Sequence, residues 1–181
     1  MCQTDAQLLA AAKLERTLLP PLSGAFEDIL SRYEKLIFYI ARRYFANQED
    51  ALDISQEVAL KIYKGLPLVI IPEDGTLKSW ICTIVARTCI DASRKRRHQL
   101  TELTDMPSNL PTPEETAATN EKVKEMLEAI NKLPNDYRMA IILRDMEGLT
   151  YEEMAKTLGL NIGTVKSRLS RARASLKIML N

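Results

Sequence analysis

The residues best suited to chemistry lie near the C-terminus. From Asn161 to Asn181 the chain carries five basic residues and no acidic one. Lys166, Arg168, Arg171 and Arg173 are interleaved there with Ser167 and Ser170, just after Thr164. Short hydroxyls and long cations near the start of one helix can clamp phosphates and read base edges in a major groove. A second basic block, Arg94, Lys95, Arg96 and Arg97, is consecutive, and Trp80 and Arg87 precede it. A run of four cations suits a nucleic-acid backbone. A helix C-terminus also attracts cations, but four exceed what capping requires. Trp80 sits at a helical offset that favours the core over a stacking platform.

Catalytic chemistry is not visible. The chain has one histidine, and no nucleophile with a base, paired carboxylates or phosphate loop stands out. No cofactor or metal is expected. Cys2, Cys82 and Cys89 are odd in number and lack a CxxC, which is no disulfide framework. Cys82 and Cys89 share a helical face, with His98 nine residues on. Reduced thiols packed in or near a core are the expected state.

These groups need helices to position them. Phe26, Ile29, Leu30, Tyr33, Leu36, Ile37, Ile40, Ala41 and Tyr44 keep helical spacing, predicting a long amphipathic helix. Ala51, Ile54, Val58 and Ile62 mark a second, ending near Gly65 and Pro67. Leu77, Trp80, Ile81, Ile84, Val85 and Thr88 mark a third that runs into the basic block. Between them, Pro67 and Pro72 bracket an apolar loop. Residues 99–119 contain Pro107, Pro111 and Pro113 and no period, so they read as a linker. Beyond it, four more helices are predicted. Leu133-Pro134 stops the first, and Asn135 can cap the second. Thr150 and Glu153 form a capping box for a short third, and Asn161 can cap the fourth.

Charge follows the same division. The net charge is +1 overall, but residues 26–98 sum to +2, 99–133 to −4 and 134–181 to +3. No apolar run is long enough to span a membrane. The first residues carry charges on both sides of a short apolar stretch, a poor secretory signal. A cytoplasmic location is expected. The fold class expected is all-α, with two small helical domains joined by a flexible linker.

The segment from Thr150 to Leu176 has helix-turn-helix spacing. Met154, Ala155, Leu158, Leu160, Val165 and Leu169 are apolar where two crossing helices must touch, and Gly159 suits the tight turn. With LPNDYRMAIILRDMEGL before it, this stretch resembles region 4 of an extracytoplasmic-function (ECF) sigma factor of bacterial RNA polymerase. GTVKSRLSRAR is its sharpest part. Residues 26–98 resemble region 2 of the same family, through IARRYF, DALDISQEVALKIYKGL and LKSWICTIVARTCIDASRKRR.

The resemblance implies a non-enzymatic protein that binds core RNA polymerase and promoter DNA. Region 4 (120–181) would read the duplex −35 element, with Lys166, Ser167, Ser170 and Arg171 nearest the bases and Thr164, Arg168 and Arg173 beside them. Region 2 (26–98) would meet the polymerase through Asp53, Gln56 and Glu57. Trp80, Arg87, Arg94, Lys95, Arg96 and Arg97 would hold the −10 element as a single strand and help melt it. The resemblance also implies regulation by an anti-sigma factor. Leu52, Ala59 and Arg87 depart from the family's usual residues, as does the apolar loop 67–76. Residues 1–25 have no family counterpart and read as a flexible arm or a partner-binding helix centred on Leu8, Leu9 and Leu14. Two rivals remain open. One is a stand-alone helix-turn-helix regulator, and the other is a degenerate sigma factor that binds polymerase but melts promoters poorly.

Overall fold

The computed structural model describes residues 4–15, 24–45, 47–66, 76–102 and 121–180, excepting the side chains of 14, 15 and 97–102. All regular structure among them is helical. The loop expected at 67–76 falls almost wholly outside these residues, as does most of the linker.

The N-terminal domain is built from α1 (Asp5–Glu15), α2 (Gly24–Tyr44), α3 (Gln48–Gly65) and α4 (Leu77–Glu102). The apolar stripe of α2 buries Ile29, Tyr33, Ile37, Ile40, Ala41 and Tyr44. It meets the expected stripe of α3, Ala51, Ile54, Val58 and Ile62. Asn47 starts α3 by accepting the Glu49 N–H at 3.0 Å. Helix α4 buries more of its circumference than its neighbours, including Ile81, Cys82, Val85, Ala86, Thr88 and Cys89. It is covered on one side by α2 and α3 and on another by the C-terminal domain.

Two expectations are refined here. Of the two alternatives for the first residues, the structure shows a helix over 5–15, packed within the chain. This is α1, which buries Leu8, Leu9 and Ala12 against α2, while Asp5 bonds the Arg32 guanidinium at 2.5 Å and the Tyr33 hydroxyl. Leu14 lies outside the described side chains. Helix α4 also runs past residue 98 to Glu102, because no proline or glycine interrupts it before Pro107.

The C-terminal domain comprises α5 (Glu121–Lys132), α6 (Asn135–Ile141), α7 (Tyr151–Leu158) and α8 (Ile162–Leu180). Pro134, not Asn135, occupies the cap of α6, and it offers no side-chain acceptor. Asn135 instead donates its side-chain amide to the Ser93 hydroxyl on α4. Beyond Ile141 the helix widens into a π turn over Ile142–Met146. Gly148, at φ 76°, then ends it. No helix among the described residues is long and apolar enough to cross a membrane.

Candidate nucleic-acid and polymerase surfaces

The helix-turn-helix is set by local chemistry. The Thr150 hydroxyl accepts the Glu153 N–H at 3.1 Å, and the Glu153 carboxylate accepts the Thr150 N–H at 2.8 Å. This capping box fixes where α7 begins. Gly159 ends α7 in the left-handed region at φ 64°, which a side chain would strain. Asn161 then caps α8, its Oδ1 accepting from the Thr164 N–H at 2.7 Å and the Thr164 hydroxyl at 2.9 Å. Val165, Leu169, Ala172 and Leu176 form the buried stripe of α8.

That stripe sorts the candidate residues. Lys166, Ser167, Ser170 and Arg171 are exposed together on the opposite side. The Lys166 ammonium lies 5.6 Å from the Tyr151 ring centroid, and the Arg144 guanidinium lies 4.7 Å from it. Thr164 is committed to the cap. Arg168 pairs with Asp136 at 3.1 Å. Arg173 grips Asp145 through Nε at 3.1 Å and a terminal nitrogen at 2.5 Å, and that bond raises its pKa. The arginines set at the edge of the expected reading face therefore hold α8 to α6 and the π turn.

On α3, Asp53, Gln56 and Glu57 share one exposed face. Glu57 pairs with Lys61 at 2.8 Å. The same side of the helix exposes Leu52, Leu60 and Tyr63, with Leu60 at 59%. Sequence reasoning did not assign Leu60 and Tyr63 to this surface. The signal was available, since both fall off the buried Ala51–Ile62 stripe at helical spacing from Gln56.

The candidates on α4 are spread along its length. Trp80 is half-buried, and its ring lies so close to Gly65 that a Cβ there would stand 3.1 Å from it. Arg94 and Lys95 are exposed, whereas Arg96 forms a two-pronged bond to Asp50 and covers the Phe45 ring at 5.2 Å. The bond to Asp50 raises the Arg96 pKa. The side chain of Arg97 lies outside the described residues. Arg87 turns away from this group, toward α7. Cys82 and Cys89 are buried free thiols, and burial pushes each up to about 12. Among the described residues no cluster of metal-ligating side chains forms.

An exposed, basic and acid-free face on a helix-turn-helix, joined to a second helical domain, marks a DNA-binding protein. Residues 29–99 match the Sigma-70 region 2 family, and residues 124–176 match the Sigma-70, region 4 family. The chain is 31% identical to the ECF RNA polymerase sigma factor SigM of Mycobacterium tuberculosis, over 98% of this chain and 85% of SigM. It is 29% identical to the ECF sigma factor SigE of Mycolicibacterium smegmatis over 84% of this chain, spanning 60% of that longer relative. A solved structure of the sigma factor RpoE with the anti-sigma factor NepR, from Bartonella quintana, superposes with a TM-score of 0.71 at 27% identity, over 86% of this chain and 96% of RpoE. The chain belongs to the ECF sigma factors, which are non-enzymatic initiation factors that bind core RNA polymerase and promoter DNA.

Proposed function

We propose that this chain directs promoter-specific initiation through three surfaces. Lys166, Ser167, Ser170 and Arg171 read the −35 duplex. The α3 face of Asp53, Gln56 and Glu57, widened by Leu52 and Leu60, docks on core polymerase. The α4 helix holds the −10 strand, with Arg94 and Lys95 on its phosphates and Trp80 at the other end of the contact. The observation that carries this reading is the exposed, acid-free face of α8, aimed by a capping box, a left-handed glycine and an Asn cap. Arg168, Arg173 and Arg96 act at one remove, as ties that hold these faces in place.

The mechanism is binding energy spent on strand separation. Unstacking costs a few kcal/mol per step, and capture of unpaired bases with phosphate contacts offsets it. Promoter affinity then falls steeply with salt. The protein works in the cytoplasm, where the polymerase is. RpoE with NepR supports control of this chain, too, by an anti-sigma protein. The test is transcription by sigma-free core polymerase on fragmented genomic DNA, with RNA 5′ ends mapped. Discrete starts sharing two upstream elements support the reading, and Arg171→Ala should weaken them. Absence of both starts and core binding would return the chain to a stand-alone regulator.

A further inference from the structure

We propose that Tyr151 is a positioning residue of the −35 surface: its ring, braced by Arg144 of the π turn, aims the Lys166 ammonium and so sets the base preference at one pair of the promoter element. The proposal deepens the reading of the α8 face as the −35 surface and rests on it.

Tyr151 is the first residue of α7, directly after the Thr150 cap. The capping box fixes its backbone, and its half-buried ring packs against the apolar core. Cations from two other elements meet that ring. The Arg144 guanidinium lies 4.7 Å from its centroid and the Lys166 ammonium 5.6 Å from it. Arg144 is itself anchored, since it donates to the Leu149 carbonyl at 2.6 Å. Arg173, whose bond to Asp145 raises its pKa, draws a smaller contribution from the Tyr151 hydroxyl. Arg144 and Asp145 both lie in the π turn, a form that recurs at functional sites. That turn therefore holds the start of α7 through Arg144 and holds α8 through Asp145. Tyr151 meets a cation of each grip.

Lys166 gains from such a guide. Its side chain is exposed, long and flexible, and fixing it on one base edge costs much of its rotamer freedom. A partner that restricts the side chain beforehand lowers that cost. The kind of partner matters. Carboxylates hold Arg168 and Arg173, and they occupy the donors that a base would need. A ring attracts an ammonium through its negative face instead. The N–H donors of Lys166 then stay available for acceptors such as the N7 and O6 of a guanine edge. The ring is also better fixed than the lysine it guides. Its backbone is capped, its body is packed, and Arg144 is tied to the backbone beside it. Lys166 thus differs from the other cations of α8, being held in place without being used up.

The test measures binding of full-chain variants to the −35 duplex taken from the mapped starts, and to copies with each base pair replaced in turn. Lys166→Ala identifies the pair whose discrimination depends on that ammonium. Tyr151→Leu should lower discrimination at the same pair by about two- to fivefold, with affinity for an unrelated duplex kept. Tyr151→Phe, which retains the ring, should restore the discrimination. In the double variant with Lys166→Ala, Tyr151→Leu should cost nothing further at that pair. Equal losses on every duplex, or additive losses in the double variant, overturn the proposal. So does wild-type discrimination by Lys166→Ala beside a defective Arg171→Ala. Because the Tyr151 ring also packs in the domain, a second measurement uses the wild-type chain. Its nuclear magnetic resonance spectrum should place the Lys166 ε-methylene protons upfield of those of exposed Lys177, through the ring current of Tyr151. Coincident shifts overturn the proposal whether or not Tyr151→Leu folds. If Lys166→Ala and Arg171→Ala both bind every duplex as wild type does, the −35 reading itself falls, a result distinct from a lysine that discriminates without Tyr151.

Discussion

Replacing Arg138 with Met should unfold most of the C-terminal domain. The guanidinium is largely buried and donates to four carbonyls. Three belong to the end of α5 and the turn after it, Ile130 at 3.3 Å, Asn131, and Leu133 at 3.0 Å. The fourth is Tyr44, at the end of α2. Burial lowers its pKa. Hydrogen bonds to a charged group contribute about 1.5–3 kcal/mol each, and removing such a hub from a buried network typically costs about 3–5 kcal/mol. A domain of about 60 residues has only about 3–9 kcal/mol in total. At about 4–8 °C per kcal/mol, the expected fall in Tm is roughly 15 °C or more. Far-UV circular dichroism follows all helices, while fluorescence of Trp80, the single tryptophan, follows the N-terminal domain. The melts should therefore separate, with the dichroism transition falling first. A dichroism shift below about 5 °C, or about 1 kcal/mol, would refute the reasoning. It would mean that water replaces the guanidinium at every carbonyl.

Other outcomes follow from single contacts. Leu8→Ala should lower N-terminal domain stability by about 2–5 kcal/mol in urea titration, because Leu8 is 1% exposed; a neutral result would return α1 to the status of an appended arm. Thr150→Ala should destabilise the C-terminal domain by about 1 kcal/mol and weaken −35 duplex binding, with Thr150→Ser restoring both. The thiols of Cys82 and Cys89 ionise near 12 when folded and near 9 when unfolded. The unfolded chain then binds fewer protons between those values, so stability is fully present below pH 9 and falls as pH rises above it. Urea midpoints on both sides of pH 9 test this, and a flat profile would contradict the burial of both thiols.

Much of the fold was legible because helices announce themselves locally. The stripes of α2, α3 and α8 repeat every three or four residues, so their buried faces follow from spacing alone. The capping box at Thr150, the left-handed Gly159 and the Asn161 cap are interactions within four residues, and each was predictable from residue type. The same locality placed Lys166, Ser167, Ser170 and Arg171 together on one face. Local rules failed where a second element intervened. Asn135 is a good cap by type, but Pro134 took that place and Ser93 took the amide. Helix α1 was legible only as one of two alternatives, from Leu8, Leu9 and Leu14, because the surface that buries Leu8 and Leu9 belongs to α2.

What the sequence by itself determined is the set of helices, their buried stripes and the chemistry of their outer faces. Only the tertiary structure decided which cations are committed within the molecule. Arg96, Arg168 and Arg173 look no different in sequence from Arg94 and Arg171, yet acids distant along the chain claim the first three. Arg87 was read as a nucleic-acid contact and lies instead on the carbonyls of α7, about 70 residues away. The reason is physical. Burial of an apolar side chain depends on its own helix period, whereas the partner of a long, flexible cation depends on which elements the completed fold brings within its reach.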